Sequence, residues 1–552
     1  MVGGFMYQKK ISSFLFSLLG FFLFASASLK QVTAAEAPTP RSPLVPRITS
    51  VEQLVPFAKI ILQRDYIGQR HGWSIRGGER VLLDTNSATH PLVREAFAQA
   101  LKELGAEVDV MVRGRPRNRD DAVLGREVAP LIRERLKLDL NTKPEGVSLR
   151  KSRGGLALDR EEAQYYDVII GSGSRMPGLF GIDDWATPEA LASVGTVYPG
   201  EIMDMLDGKV WAILRNAERV EITGLQGSNG SFTWFPEWWE VIEGTHDTIR
   251  NPGYQSTFGT ERPGRSEFAY FAGHVAGVPA GYSAIEQSDF KGIIAGTVGQ
   301  WNQVPKLTIH HEKGEAVRVE GGGDYGDMWR ESVELTKDIQ YPGYPRPGTG
   351  WFVEFALGTN PKMLGPMDVE ELRGIPNRDS SKKIDWVMGR DRSGVFHAGY
   401  GTLAADWWAK MVTMPVNHHH IHALFFITYI VHTRDGRSVT VVDKGHLTAL
   451  DDPEVRALAA TYGDPDAVLS EDWIPILQED GYLGPPKAKV VSYEEFIAAM
   501  PFKLDDPRLI YRRSEQMEPL YGQSRVRYYK PEQYLEFYRK LGQIPVRRVN
   551  TE

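Results

Sequence analysis

The chain contains no cysteine. Disulfide staples, thiolate metal sites and a cysteine nucleophile are therefore excluded, and any metal must be held by His, Asp, Glu, Tyr or water. An excess of one charge is missing as well. Lys and Arg number 64 against 71 Asp and Glu, a formal net charge of -7, and neither sign gathers into a stripe or a tail. Nucleic acid is a poor partner for such a surface. No internal repeat is visible, and no Gly-x-Ser-x-Gly marks a nucleophile elbow. Gly171-Ser172-Gly173 follows an apolar strand but lacks the third glycine and the downstream acidic residue of a dinucleotide fingerprint, so a turn explains it. Beyond the N-terminus, no apolar run approaches the ~20 residues of a membrane-spanning helix.

What is present is the composition of a globular chain, 42% hydrophobic and 24% charged, which allows sizeable cores. A length of 552 residues favours two or three domains over one. The first 35 residues read as an export signal. Lys9 and Lys10 precede an apolar stretch from Phe14 to Ala27, and small residues offer cleavage at Ala25-Ser26-Ala27 or Thr33-Ala34-Ala35. The mature chain is then expected to begin between Ser28 and Ala37 and to be periplasmic or secreted, with no stable membrane span; an uncleaved anchor is the rival reading. Residues 36–50 form a Pro-rich tether.

From Val51 to about Arg215 strands and helices alternate. Glu79 to Asp84, Ala106 to Val112 and Asp167 to Gly173 read as strands, and Pro91 to Gly105 as a helix that a glycine stops. From about Glu218 glycine and proline become frequent, helices become scarce, and short alternating strands dominate. Ala423 to Thr433 and Arg437 to Asp443 read as a hairpin about Asp435-Gly436. Helical candidates follow at Pro453–Tyr462, Tyr493–Met500 and Pro531–Leu541. The fold class expected is α/β: an N-terminal three-layer α/β domain (51–215), a C-terminal mixed α+β metal-binding domain (216–446), and an extension (447–552).

The most unusual stretch is Asn417-His418-His419-His420-Ile421-His422, four histidines entering an apolar strand. Imidazole ligates metals because it is largely neutral near pH 7 and offers a nitrogen lone pair. On an extended strand, positions i and i+2 share a face, so His420 and His422 can chelate one ion and His418 can join them. A solvated histidine run is the alternative. His397 sits in a Gly-rich approach, Gly394 to Gly401, where a structural turn histidine is the competing account. Glu354 interrupts an apolar strand, where a lone carboxylate is costly unless paired or metal-bound. His274 precedes a proline turn. Glu237, Glu240 and Glu243 suit one face of a surface helix. Asp406 could orient a ligand imidazole, and Glu261 is a weak further ligand candidate.

These segments carry a resemblance. Their order and flanks resemble the aminopeptidase T family of metallopeptidases, which also contains dihydroxypyridine ring-cleaving dioxygenases. The family's segment with a metal-binding Glu is similar to Glu354 through Pro361, its next ligand segment to His397 through Gly401, and its H-x-D pair to His420-Ile421-His422. The opening unit, Gly78 to Val112, resembles the family's own. The resemblance implies a divalent metal cofactor (Zn, Fe(II), Co or Mn) and a small-molecule or short-peptide substrate, with Glu354 and His397 as catalytic residues. Two positions depart from it. His274 stands where the peptidases have a metal-binding Glu, and His422 where they have Asp. Imidazoles remove bridging oxygens and negative charge, which favours one ion over a carboxylate-bridged pair. The expected function is metal-dependent hydrolysis of a small peptide or amide. Oxidative ring cleavage by Fe(II) and non-enzymatic metal or solute binding are the alternatives. A homodimer is an assembly the sequence allows.

Overall fold

The computed structural model describes residues 37–64, 66–67, 70–71, 73, 75–86, 89–113, 168–170, 187–234, 274–275, 289–299, 303–338, 347–372, 386, 388–401 and 418–510. The expected export signal, Gly171–Ser174, Glu237, Glu240, Glu243, Glu261, Asp406 and the helix expected at Pro531–Leu541 lie outside the described residues. Among those described, no helix is long and apolar enough to cross a membrane.

The described residues open on β1 (Leu44–Arg47), inside the Pro-rich segment, and α1 (Val55–Gln63). Next come β2 (Arg80–Asn86), α2 (Pro91–Glu103), β3 (Glu107–Arg113) and β4 (Val168–Ile170). Helix α2 forms where periodicity predicts it. Pro91 starts it, the His90 ring accepts from the Leu92 amide at 3.2 Å, and Val93, Ala96, Phe97, Ala100 and Leu101 bury one stripe. Gly105, at φ 83°, ends it with a turn that other residues rarely make. Strands β3-β2-β4 then pair in parallel, as the strand–helix alternation implies. The expected strands at 79–84 and 106–112 correspond to β2 and β3, and of the one expected at 167–173 the described residues 168–170 form β4.

Helix α3 (Gly200–Leu214) leads into β5 (Ala217–Gly224) and β6 (Asn229–Thr233). Next come β7 (His274–Val275), β8 (Lys291–Val298), β9 (Gln303–Glu312) and β10 (Glu315–Gly321), followed after helix α4 (Gly323–Thr336) by β11 (Phe352–Gly358) and β12 (Phe396–Gly401). Then come β13 (His418–Leu424), β14 (Ile427–Thr433), β15 (Ser438–Asp443) and β16 (His446–Leu447). They build an eight-stranded antiparallel sheet, β10-β9-β8-β6-β5-β14-β15-β16, and a four-stranded one, β13-β12-β11-β7. The two sheets pack where β13 crosses β8. A Cβ on Gly296 would lie 2.9 and 3.0 Å from the Ile421 and Leu424 side chains, so glycine sets the close approach. Phe355, Phe396 and Tyr429 continue the contact, with ring centroids 4.5 and 4.8 Å apart in sequence along the stack.

Two expectations are corrected here. Ala423 to Thr433 is not one strand. It breaks at Phe425-Phe426, where Phe426 takes φ 58°, and the chain passes from the small sheet to the large one. Only β14 makes the hairpin with β15, about Asp435-Gly436. The scarcity of helix after Glu218 also hides α4. Gly321, Gly322 and Gly323, at φ 68°, 79° and 54°, reverse the chain from β10 into that helix, and a glycine run reads as loop in the sequence.

The last described part closes on the first. After α5 (Pro453–Ala459), strand β17 (Lys489–Ser492) pairs in parallel with β1, and α6 (Tyr493–Ala499) follows. One buried cluster takes in residues from Ile48 to Leu509, among them members of α1, α5, β17 and α6. Arg64, only 3% exposed, donates to the carbonyls of Leu509 (2.9 Å), Tyr198 (2.9 Å) and Thr196 (3.4 Å).

His446 fastens β16 to the segment after α5. Its Nδ1 lies 3.2 Å from Glu471 Oε2 and its Nε2 2.9 Å from Asp451 Oδ2. The Glu471 hydrogen bond raises the imidazole from 6.5 to about 9. A base whose pKa rises on folding stabilises the fold fully below its unfolded pKa and loses that contribution as pH climbs through the folded value. His446→Gln is therefore expected to lower the melting temperature at pH 6 and to make progressively less difference between pH 6.5 and pH 9. Thermal melts of both proteins across that range check this; a gap that stays constant would refute it.

Candidate functional site

The four-stranded sheet brings the candidate residues together by register. Glu354 on β11, Gly399 on β12 and His420 on β13 form one cross-strand row. In the next row Ala356 lies opposite His397. His274 on β7 lies opposite Gly358, and His418 opposite Gly401. Residues directly opposite one another on neighbouring strands share a face of the sheet, as do positions i and i+2 along a strand. All six candidate positions therefore follow a single alternation, even though they span almost 150 residues of sequence. Of Glu354, His274 and His418 only the backbone positions are described.

The other three are described in full. His397, His420 and His422 are 2%, 5% and 0% exposed. The His397 ring centroid lies 5.5 Å from that of His420 and 5.9 Å from that of His422, with interplanar angles of 74° and 90°. His420 and His422 stack at 4.2 Å and 27°. A bulge between Phe396 and Ala398 lets β13 gain a residue beside His397, so that both β13 imidazoles reach one β12 imidazole. The row between Glu354 and His420 is occupied by a glycine, which puts no side chain between them. Among the described residues, no three His, Asp or Glu side chains converge closely enough as they stand to hold a metal ion.

The opposite face of the sheet is core. His419 Nε2 lies 2.7 Å from Ser332 Oγ, and its ring stacks on Trp329 at 4.9 Å and 24°. Tyr400 packs on His311 at 5.4 Å and 24°, and on Trp329 at 4.9 Å. Burial pushes His311 down from 6.5 to about 3, so it is a neutral core residue at any physiological pH. The histidine run thus divides by strand alternation: His420 and His422 meet His397, while His419 meets a helix.

Sequence reasoning passed over one buried acid next to this sheet. Residues Met388–Asp391 form a short turn of helix packed against β11, β12 and β13. Its backbone takes the space a Cβ on Gly358 would fill, 2.3 Å from the Arg390 and Arg392 carbonyl oxygens. Asp391 is 1% exposed, and burial raises its carboxyl from 3.8 to about 6 although Arg390 draws it the other way. Gly-Arg-Asp-Arg in a loop carries no periodicity, so only the fold reveals that this acid is buried.

No protein-family profile matches the sequence, and no characterised protein does. Solved structures that match at low identity include two enzymes. The 2,5-dihydroxypyridine dioxygenase of Pseudomonas putida KT2440 is 12% identical with a TM-score of 0.35, and the alignment covers 72% of this chain and 98% of that one. Wild-type AmpT of Thermus thermophilus is 12% identical with a TM-score of 0.37, over 72% of this chain and 99% of that one.

Proposed function

We propose that the chain is a metal-dependent enzyme whose single divalent ion is held by His397, His420, His422 and Glu354. The observation that carries the reading is the trio of buried imidazoles on one sheet face. An ion about 2.0–2.1 Å from each ligating nitrogen lies roughly 3.2 Å from each ring centroid, which sets tetrahedrally arranged rings about 5.2 Å apart. The 5.5 and 5.9 Å separations of His397 from its two partners are close to that spacing. His420 and His422 are stacked instead, so one of those rings must turn to aim its nitrogen at the shared point.

Glu354 supplies the carboxylate. Two strand spacings, about 9.5 Å, separate its backbone from that of His420, and Gly399 leaves the space between them clear. Three neutral imidazoles and one carboxylate would leave a divalent ion net positive, and water or substrate would enter as a fifth ligand. When bound, the ion supplies a Lewis acid and a water of lowered pKa. In this reading Glu354 and His397 would hold or pass a proton beside the substrate, and the burial of the three imidazoles would limit access of bulk water. His274 and His418, opposite Gly358 and Gly401, are the outer candidates.

The reaction this set suits is hydrolysis of a small peptide or amide by an exported enzyme. A second reading, ring cleavage of a dihydroxylated aromatic by Fe(II), is favoured by the same excess of imidazole over carboxylate. Elemental analysis of anaerobically purified full-length protein, followed by assays on amides and by oxygen uptake with dihydroxylated aromatics, tests both. One ion per chain is expected. Zinc with amide turnover supports the first reading, and iron with oxygen consumption the second. Two ions per chain, both needed for turnover, would refute the single-ion centre.

A further inference from the structure

Among the described strands, β13 lies at the edge of its sheet, next to β12 on one side only. An edge strand left open frays or slips, and a slip of one residue would exchange His420 and His422 for His419 and Ile421. Helix α4 covers this edge. Its Tyr325 hydroxyl donates to the His420 carbonyl oxygen at 2.8 Å and accepts from the His420 amide at 3.1 Å. A single phenol thus completes both backbone groups of one candidate ligand. Trp329 and Ser332, four and seven residues further on the same helix face, hold the neighbouring His419 by stacking and by hydrogen bonding. The glycine triplet at 321–323 turns α4 into this position. Gly299 makes room for the brace, since a Cβ there would lie 2.9 Å from two carbons of the Tyr325 ring.

We propose that Tyr325 is a positioning residue for the metal centre: its hydroxyl fixes the register and orientation of β13 so that His420 and His422, not His419, face His397. The proposal rests on the metal-centre reading above. Its role in the proposal is not that of a ligand; it acts through the His420 backbone. A group that orients a ligand from outside typically changes metal affinity by about 10- to 100-fold when removed.

The test uses full-length protein with zinc and cobalt as probes. Tyr325→Phe keeps the ring and removes both hydrogen bonds. Zinc affinity by chelator competition is expected to fall about 10-fold or more, and the visible absorption of the cobalt-loaded protein to shift in position or intensity. Circular dichroism of the apo-protein should stay native-like. A purely structural tyrosine would lower the melting temperature while leaving the zinc affinity and cobalt spectrum alone, and that result would overturn the proposal. Gly299→Ala crowds the ring without removing the hydroxyl and is expected to move the same two readouts, which keeps the test open if Tyr325→Phe does not fold. His422→Ala separates the two ideas. If it abolishes zinc binding while Tyr325→Phe changes nothing, the brace is wrong and the centre stands. If it leaves zinc affinity at the wild-type level, the centre itself is wrong and the brace falls with it.

Discussion

Replacing His422 by alanine is expected to weaken zinc binding by at least about 100-fold, because losing a ligand should exceed the 10- to 100-fold typical of losing a group that only supports one. His422 is fully buried, its ring stacks on His420 at 4.2 Å, and it meets His397 at a right angle. His397→Ala should match it, since His397 is the one β12 imidazole that faces both β13 partners. Some loss of stability accompanies either change, because alanine leaves a cavity where a packed ring stood. Metal affinity and apo-protein melting must therefore be measured separately. His310 provides the reference. It lies on β9 in the other sheet and pairs with Glu320 at 3.0 Å, so His310→Ala should leave zinc affinity unchanged. Equal metal content in all three variants and the wild type would remove the basis for the proposed centre.

The largest effect on stability is expected away from the site, at Arg64. Its guanidinium is almost completely buried and reaches carbonyls from two other parts of the chain, Thr196 with Tyr198 and Leu509, so that with its own it ties three segments together. Burial draws its pKa down to about 10, which still leaves it charged at neutral pH. Hydrogen bonds to a charged group contribute about 1.5–3 kcal/mol each, and an acceptor left buried without a donor adds its own desolvation cost. Arg64→Met keeps much of the volume and removes every donor. A loss of roughly 3–5 kcal/mol is expected, read as a lower denaturant midpoint with an unchanged slope. Arg64→Lys should recover only part of it, because one ammonium cannot reproduce the fork that spans three carbonyls. A midpoint within experimental error of the wild type would show that the three segments are held by packing alone.

How far the sequence can be read depends on whether a feature is local. Helix α2 is legible because the cap, the apolar stripe and the terminating glycine lie within fifteen residues of one another. Strand alternation likewise separates His420 and His422 from His419 on the sequence alone. The pairing of Glu354 with Gly399 and His420 is not legible, because register depends on bulges at Phe352–Glu354 and Phe396–Ala398 that leave no sequence mark. The crossing at Phe426 escapes for a related reason. An apolar run such as Ala423 to Val431 fits a buried strand in either sheet, and only a positive φ at one phenylalanine separates the two. Helix α4 is hidden behind its glycines, although Tyr325, Trp329 and Ser332 repeat at helical spacing and could have revealed it. Asp391 and Arg64 owe their roles entirely to what surrounds them.

The pairing of β1 with β17 also fixes an order of events during synthesis. A chain made from its N-terminus presents Leu44–Arg47 first, yet the partner of that strand, Lys489–Ser492, follows more than 400 residues later. The Arg64 bond to Leu509 spans 445 positions. Contacts so distant in sequence form slowly and cannot form at all until the later segment exists. The N-terminal α/β unit therefore begins first and is completed last, and the sheet that carries the histidines can be assembled while that opening strand still waits for its partner.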